Sequence, residues 1–175
     1  YKLTGHVCEE CSMTGQMWCN GDIMSNYEYE HIPGIDLLCR LPNYEAWQAG
    51  KLLGSAAAQL GKKQRLVETY ALCGWDVTPM ELKGMAEHLY IDGINLMCQH
   101  LLPYEEKGER QRDYPAHYGP QNPWVKKDFK EFNDYFAILG EILANSKEVV
   151  NVAVFLPIRS MYLIYNRLNE GESWY

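Results

Sequence analysis

The chain has 175 residues, of which 47% are hydrophobic, and its formal net charge is −7. This length and apolar content suit a soluble globular protein with one ordinary core. The negative charge argues against nucleic acid or an anionic membrane as a partner, and no apolar run approaches the roughly 20 residues that cross a bilayer. The first residues lack the apolar core of a signal peptide. Because the chain starts at Tyr1 rather than Met, we expect it to be a piece of a longer protein.

Short apolar runs in the first 100 residues predict four strands with helices between them. The strands are expected near residues 3–8, 32–38, 65–69 and 94–98, and a helix is expected over 47–60. Residues 12–29 are polar and rich in Met and aromatics, which suits an ordered loop or short helix. Strands that alternate with helices are typical of βα repeats in a parallel sheet. The predicted fold class is therefore α/β.

The clearest helix signal begins at Thr78. Thr78 is a typical N-cap residue, Pro79 suits the first helical position, and Glu81 stands three residues after the cap. Apolar residues then recur at helical spacing, and Gly93 suits the position just after the helix. We predict a capped helix that leads directly into the strand at 94–98.

The sequence changes character after His100. Residues 103–123 form a long, charged, Pro-rich loop, and an amphipathic helix starts at Asn122-Pro123. The β-branched run 149–156 predicts another buried strand, whereas the tail that follows has no convincing period. We expect one region over 1–123, and a second over 124–175 that begins the following α/β region.

Polar side chains stand at the ends of the predicted strands. In a parallel sheet, the carboxyl ends of the strands face the ligand crevice. This places Glu68 and His100 together there, and Glu10, His6 and Asp36 are further candidates. Two carboxyl groups are what hydrolysis of a glycosidic bond usually needs, one as acid and one as nucleophile or base. Each residue also has an ordinary structural interpretation, such as a salt bridge, a cap or a core imidazole.

The six cysteines leave one alternative open. Cys8 and Cys11 form a C-x-x-C pair, with His6 and Cys19 close by in sequence, and these are residue types that bind zinc. The pattern starts on a predicted strand and lacks a clear second ligand pair. We therefore favour reduced thiols, a cytoplasmic location and no metal or other cofactor.

Five blocks of sequence together resemble one protein family: Gly5–Val7, Tyr27–Asp36, Glu68–Tyr70, Gly74–Asp76 and Gly93–His100. The family is a group of bacterial glycoside hydrolases with a (β/α)8 barrel, similar to the α-L-rhamnosidase family and more distantly to β-galactosidase-type barrels. The resemblance covers nearly the whole chain. It implies that residues 1–103 form strands five to eight, a partial TIM-type (β/α)8 barrel, and that the strand at 149–156 begins the next domain.

The resemblance also implies roles for single residues. Glu68 and Glu10 would be catalytic, and five residues would bind substrate: His6, Asp36, Tyr70, Trp75 and His100. The substrate would be a carbohydrate such as a rhamnoside or galactoside. The first four barrel strands are missing from this sequence, so the resemblance implies a fragment that is inactive alone. Its open sheet edges would pair with the missing N-terminal half or with a second copy.

Two other classes of function stay open at this point. One is a non-catalytic carbohydrate-binding or interaction module, in which the pair of carboxylates is incomplete. The other is a small zinc or redox protein built on Cys8, Cys11 and Cys19. The sequence leaves the sugar, the linkage and the stereochemical course undetermined.

Overall fold

The computed structural model describes residues 1–38, 40, 46–100 and 122–166. Its strands are β1 (Gly34–Leu37), β2 (Leu66–Thr69) and β3 (Leu96–Gln99). Its helices are α1 (Met13–Cys19), α2 (Ile23–Asn26), α3 (Ala46–Gln59), α4 (Pro79–Ile91), α5 (Pro123–Lys127), α6 (Phe129–Ala144) and α7 (Ile158–Ile164), and a 3-10 turn covers Tyr27–Tyr29. Most of the predicted loop 103–123 lies outside the described residues.

The three strands form a parallel sheet in the order β1–β2–β3. Helix α3 lies between β1 and β2 in the chain, and α4 lies between β2 and β3. The predicted alternation of strand and helix is therefore confirmed, and the described part of the chain is a mixed α/β structure with a small parallel sheet.

The core lies between one face of this sheet and the helices. Ile35 of β1 and Val67 of β2 are fully buried, and they pack in one apolar cluster with side chains from α3, α4 and α6. Helix α6 approaches so closely that a Cβ at Gly140 would lie 2.5 Å from the Asn95 carbonyl oxygen. Only glycine allows this approach, which fixes α6 beside the start of β3.

Helix α4 begins as its sequence predicts. The Glu81 amide donates to Thr78 Oγ1 at 3.3 Å, and the Thr78 amide donates to Glu81 Oε2 at 2.8 Å. These reciprocal bonds are a capping box. Gly93 follows the helix with a φ of +109°, a backbone conformation that favours glycine. Local sequence signals therefore fix both ends of the helix that follows Glu68.

The predicted strand at residues 3–8 is wrong as a continuous strand. The segment makes two isolated parallel bridges to the chain around β1, Thr4 with Ile32 and Val7 with Ile35. At Glu9 the backbone turns, with a φ of +61°, so the ladder cannot continue. The segment nevertheless lies beside β1, where a fourth parallel strand was expected.

The predicted strand at 149–156 is also wrong. These residues have no regular structure, and Val149, Val152 and Val154 are more than 80% exposed. A β-branched run forms a strand only when a neighbouring strand supplies backbone partners, and the described residues place no such strand beside it. Helix α7 follows instead, in a tail for which the sequence predicted no element.

The helix predicted from Pro123 consists of two helices, α5 and α6. They meet at Asp128, whose φ of −118° departs from helical geometry. Asn122 caps the first of them by accepting from the Trp124 amide. Within the described residues, no helix is long and apolar enough to cross a membrane.

Candidate active site at the carboxyl ends of the strands

The sheet itself brings two carboxylates together. Asp36 of β1 and Glu68 of β2 are register partners in the parallel ladder, and Cys98 of β3 is the register partner of Glu68. Because side chains alternate along a strand, this row points away from the face that carries Ile35 and Val67. Asp36 and Glu68 therefore stand side by side on the face that the helices leave uncovered.

The segment before β1 places an imidazole over this pair. The two bridges described above lie on either side of His6, and a Cβ at Gly34 would lie 2.3 Å from the Gly5 carbonyl oxygen. This close approach requires a glycine at position 34. His6 Nε2 lies 2.6 Å from Glu68 Oε2, and His6 Nδ1 lies 3.9 Å from Asp36 Oδ2. The predicted candidates His6, Asp36 and Glu68 are thus in one cluster.

Glu10 completes the cluster from the other side of β1. Only 1% of its surface is exposed, and its Oε1 accepts a hydrogen bond from the Asp36 amide at 3.0 Å. Burial raises the pKa of the Glu10 carboxyl from an ordinary 4.5 to about 7, against the lowering effect of that backbone bond. Glu10 can therefore hold a proton near neutral pH and release it.

Asp36 is also in an unusual environment. Burial raises the pKa of its carboxyl, and the charge of Glu68 adds to the rise, while His6 and His100 lower it. Its Oδ1 is buried, and the described residues give this atom no hydrogen-bond partner. A buried acceptor without a partner is costly unless a ligand or water supplies a donor. We call His6, Glu10, Asp36 and Glu68 the strand-end site.

His100 lies at the same end of the sheet, as predicted. It follows β3 directly, and its amide donates to the Thr69 carbonyl at 2.9 Å. The charge of its imidazole is among the effects that lower the pKa of the Asp36 carboxyl. The prediction that Glu68 and His100 share one end of the sheet is confirmed.

Tyr70 and Trp75, both predicted to contact the substrate, lie in different environments. Tyr70 is fully buried, and its hydroxyl donates to the Leu82 carbonyl at 3.1 Å, so its place is in the core between β2 and α4. Trp75 is 67% exposed in the loop between the same two elements. An exposed ring on the loop after Glu68 remains available to a ligand, whereas the Tyr70 ring is enclosed by protein.

The sequence interpretation missed Glu30. Burial raises the pKa of its carboxyl, and His6 is among the charges that lower it. Its Oε2 is buried, with no hydrogen-bond partner among the described residues. Glu30 precedes the Pro33-Gly34 turn into β1, and its position in the block Tyr27–Asp36 was the one signal that could have identified it.

A cation could be held by His6, Asp36 and Glu68, whose ligand atoms all lie within 4.8 Å of one another. Ligands at 2.0–2.2 Å around a tetrahedral ion are separated by roughly 3.3 Å. The 2.6 Å between His6 Nε2 and Glu68 Oε2 is shorter than this separation. The two side chains therefore stand closer together than two ligands of one such ion.

The zinc alternative gains no support from the fold. Cys8 and Cys19 are exposed and Cys11 is half-buried, and none of the three forms a disulfide with another described residue. Within the described ranges, the cysteines do not gather into a group of metal ligands.

No known protein family matches the sequence, and no curated protein is significantly similar to it. A solved structure, that of a rhamnosidase from Novosphingobium sp. PP1Y, is similar in fold, with a TM-score of 0.59 and 17% sequence identity. The similarity covers 71% of this chain and 13% of the rhamnosidase chain, so the chain spans a small part of that enzyme's length. At this identity the similarity concerns the fold alone.

Proposed function

We propose that the strand-end site is the catalytic site of a glycoside hydrolase, and that the described sheet is part of a (β/α)8 barrel. The observation that carries the proposal is the grouping of Glu10, Asp36 and Glu68 around His6 at the carboxyl end of a parallel sheet. The fold similarity to part of a rhamnosidase supports the same class of enzyme. The substrate we expect is a glycoside, with rhamnosides and galactosides first.

The environments of the carboxyl groups suggest which catalytic role each of them has. Glycosidases need one carboxyl group that is protonated before the reaction and another that is ionised. Glu10, with its pKa raised to about 7 by burial, is suited to be the carboxyl group that is protonated before the reaction. Glu68, whose carboxylate lies 2.6 Å from the His6 ring, is suited to act as nucleophile or base. Whether the course is retaining or inverting depends on how far apart these two carboxyl groups stand in the substrate complex.

The remaining barrel strands would come from outside the described sheet. Among the described residues, strand β3 pairs with β2 alone, and a strand edge without a strand partner can accept a further strand. We propose that the missing strands are supplied by the rest of a longer protein or by a second copy of this chain.

The decisive experiment is Glu68→Gln in the full-length protein that contains this chain. The amide keeps the shape of the side chain but can neither attack the anomeric carbon nor accept a proton from water. We expect kcat on aryl glycosides to fall about a thousandfold or more, with folding and substrate binding preserved. The assay uses a panel of aryl rhamnosides, galactosides and other glycosides.

The matched control is Glu87→Gln. Glu87 is partly exposed on α4, where its carboxylate accepts from the Tyr135 hydroxyl at 2.7 Å and pairs with Lys83 at 3.4 Å. This variant should keep wild-type kcat. If Glu68→Gln also turns over a good substrate at the wild-type rate, Glu68 has no catalytic role. If the wild type shows no turnover and Glu68→Gln only weakens sugar binding, a carbohydrate-binding module is the better description.

A further inference from the structure

We propose that His6 is a positioning residue for Glu68 and not a contact for the sugar. The inference deepens the proposed function and rests on it for its kinetic consequences. Its geometric content, that His6 holds the Glu68 carboxylate in place, can be tested whether or not the protein is a hydrolase.

Both ring nitrogens of His6 face protein carboxylates. Nε2 lies 2.6 Å from Glu68 Oε2, an ion-pair contact when the ring is protonated. Nδ1 lies 3.9 Å from Asp36 Oδ2, beyond hydrogen-bond distance but close enough for electrostatic attraction when the ring is charged. A sugar hydroxyl could reach Nε2 only by displacing Glu68.

The backbone that carries His6 is held on both sides of the ring. Thr4 Oγ1 donates to the Ile32 carbonyl at 2.9 Å, and the Leu3 amide donates to His31 Nδ1 at 2.9 Å. On the other side, Val7 bridges to Ile35. The His6 imidazole is therefore carried by a segment whose backbone is held in place. A side chain held in this way restricts the rotamers of the carboxylate that it contacts.

Carboxylates approach His6 from each neighbouring element. Glu68 of β2 and Asp36 of β1 lie 2.6 Å and 3.9 Å from its ring nitrogens, and the charge of His6 also lowers the pKa values of Glu10 and Glu30. Ionised carboxylates this close repel one another. Without the imidazole, the described residues place no cation in an ion pair with Glu68, so we expect its side chain to rotate away from Asp36.

The experiment compares His6→Leu with His6→Gln in the full-length protein. Leu removes the imidazole while filling similar space, and we expect kcat to fall about a hundredfold with KM within about twofold of wild type, because a misplacement near 1 Å costs this much. Gln carries an N–H donor, so it should recover most of the loss. His88→Leu is the control, since it removes an imidazole 3.5 Å from a carboxylate on α4 and should leave kcat unchanged.

A crystal structure of His6→Leu gives the readout that does not depend on activity. We expect the Glu68 carboxylate to move by more than about 1 Å, with the Thr4 and Val7 bridges preserved. If His6→Leu does not fold, the same measurement is made on His6→Ala and His6→Gln, with Gln expected to hold Glu68 closer to its wild-type position.

Three results would overturn the positioning role. They are a Glu68 side chain that keeps its place without His6, a rise in KM with unchanged kcat, and no difference between the Leu and Gln variants. If the wild type hydrolyses no glycoside, the proposed function fails, while the position of Glu68 in the variant structures still decides the role of His6.

Discussion

This fold contains two clusters of carboxylates in which pKa values are shifted in opposite directions. In the strand-end site, burial raises the pKa of Glu10 to about 7 and also raises that of Asp36. At the start of α4, Glu81 accepts from the Thr78 backbone and side chain and from the Arg40 guanidinium, which lowers its pKa to about 2. Arg40 also donates to Asp76 Oδ1 at 2.8 Å, and we call Asp76 and Glu81 with Arg40 and Thr78 the helix-cap cluster.

The difference shows what makes a carboxylate useful for proton transfer. In the helix-cap cluster, Arg40 and Thr78 donate to surface carboxylates, which lowers the pKa values of Asp76 and Glu81, and Glu81 serves to start α4. The strand-end site buries Glu10 and half-buries Asp36 and Glu68, and no Lys or Arg among the described residues is paired with these acids. Both clusters contain Asp and Glu. Burial raises the pKa of a carboxyl group and hydrogen-bond donors lower it, so the balance of the two decides whether the group holds a proton.

Among the tests of this contrast, we expect Glu10→Gln to have the largest effect, which is a loss of turnover. If Glu10 is the general acid, its amide cannot donate a proton to the leaving oxygen, and kcat should fall on the order of a hundred- to ten-thousandfold. Kinetics on an aryl glycoside panel measure it. Glu9→Gln is the matched control, because Glu9 is the exposed neighbour and should stay near wild type. A loss of only a few-fold in Glu10→Gln would reduce Glu10 to a structural acceptor for the Asp36 amide.

The second prediction concerns stability and pH. Glu10 binds its proton more tightly in the folded protein than in the unfolded chain, so its contribution is complete below pH 4.5 and is lost as pH rises through 7. The difference between 4.5 and about 7 corresponds to roughly 3 kcal/mol. Urea unfolding of wild type between pH 4.5 and 8 should show this decline, and Glu10→Gln should remove that part of it.

Glu81→Gln is the control variant for the same measurement of stability against pH. The lowered pKa of Glu81 gives a contribution that is present above pH 4.5 and is lost as pH falls toward 2. This variant should therefore leave the decline between pH 4.5 and 8 as it is in wild type. Equal slopes for wild type and Glu10→Gln would mean that Glu10 is ionised in the folded protein throughout this range.

A smaller effect is expected at Trp75, in the loop that joins the two clusters. Trp75→Ala should raise KM about tenfold with kcat nearly unchanged, because loss of a stacking surface weakens binding by roughly 1 kcal/mol. Trp75→Phe keeps an aromatic face and should lie close to wild type. A fall in kcat instead would show that the loop supports Glu68 rather than the sugar.

The smallest effect is expected in the helix-cap cluster itself. Thr78→Ala removes the side-chain acceptor of the α4 capping box and should lower the free energy of unfolding by about 1 kcal/mol. Thermal unfolding measures this, and kcat should not change. A marked loss of turnover would mean that the start of α4 controls the strand-end site, and the two clusters would no longer be separate in function.

The sequence by itself determined the elements whose signals are local. The capping box at Thr78 and Glu81, the end of α4 before Gly93 and the three apolar strands all follow from neighbours a few residues apart. Strand-end geometry then places Glu68 and His100 at one end of the sheet, because parallel strands share a direction.

Tertiary structure decided everything that depends on a distant partner. The 149–156 run has the composition of a strand, but a strand needs a neighbour, and the described residues supply none. Tyr70 follows Glu68 closely in sequence, yet its ring is drawn into the core by α4. The contact of His6 with Glu68 and the burial of Glu10 join residues far apart in the chain, so only packing sets the distances and the protonation on which the chemistry depends.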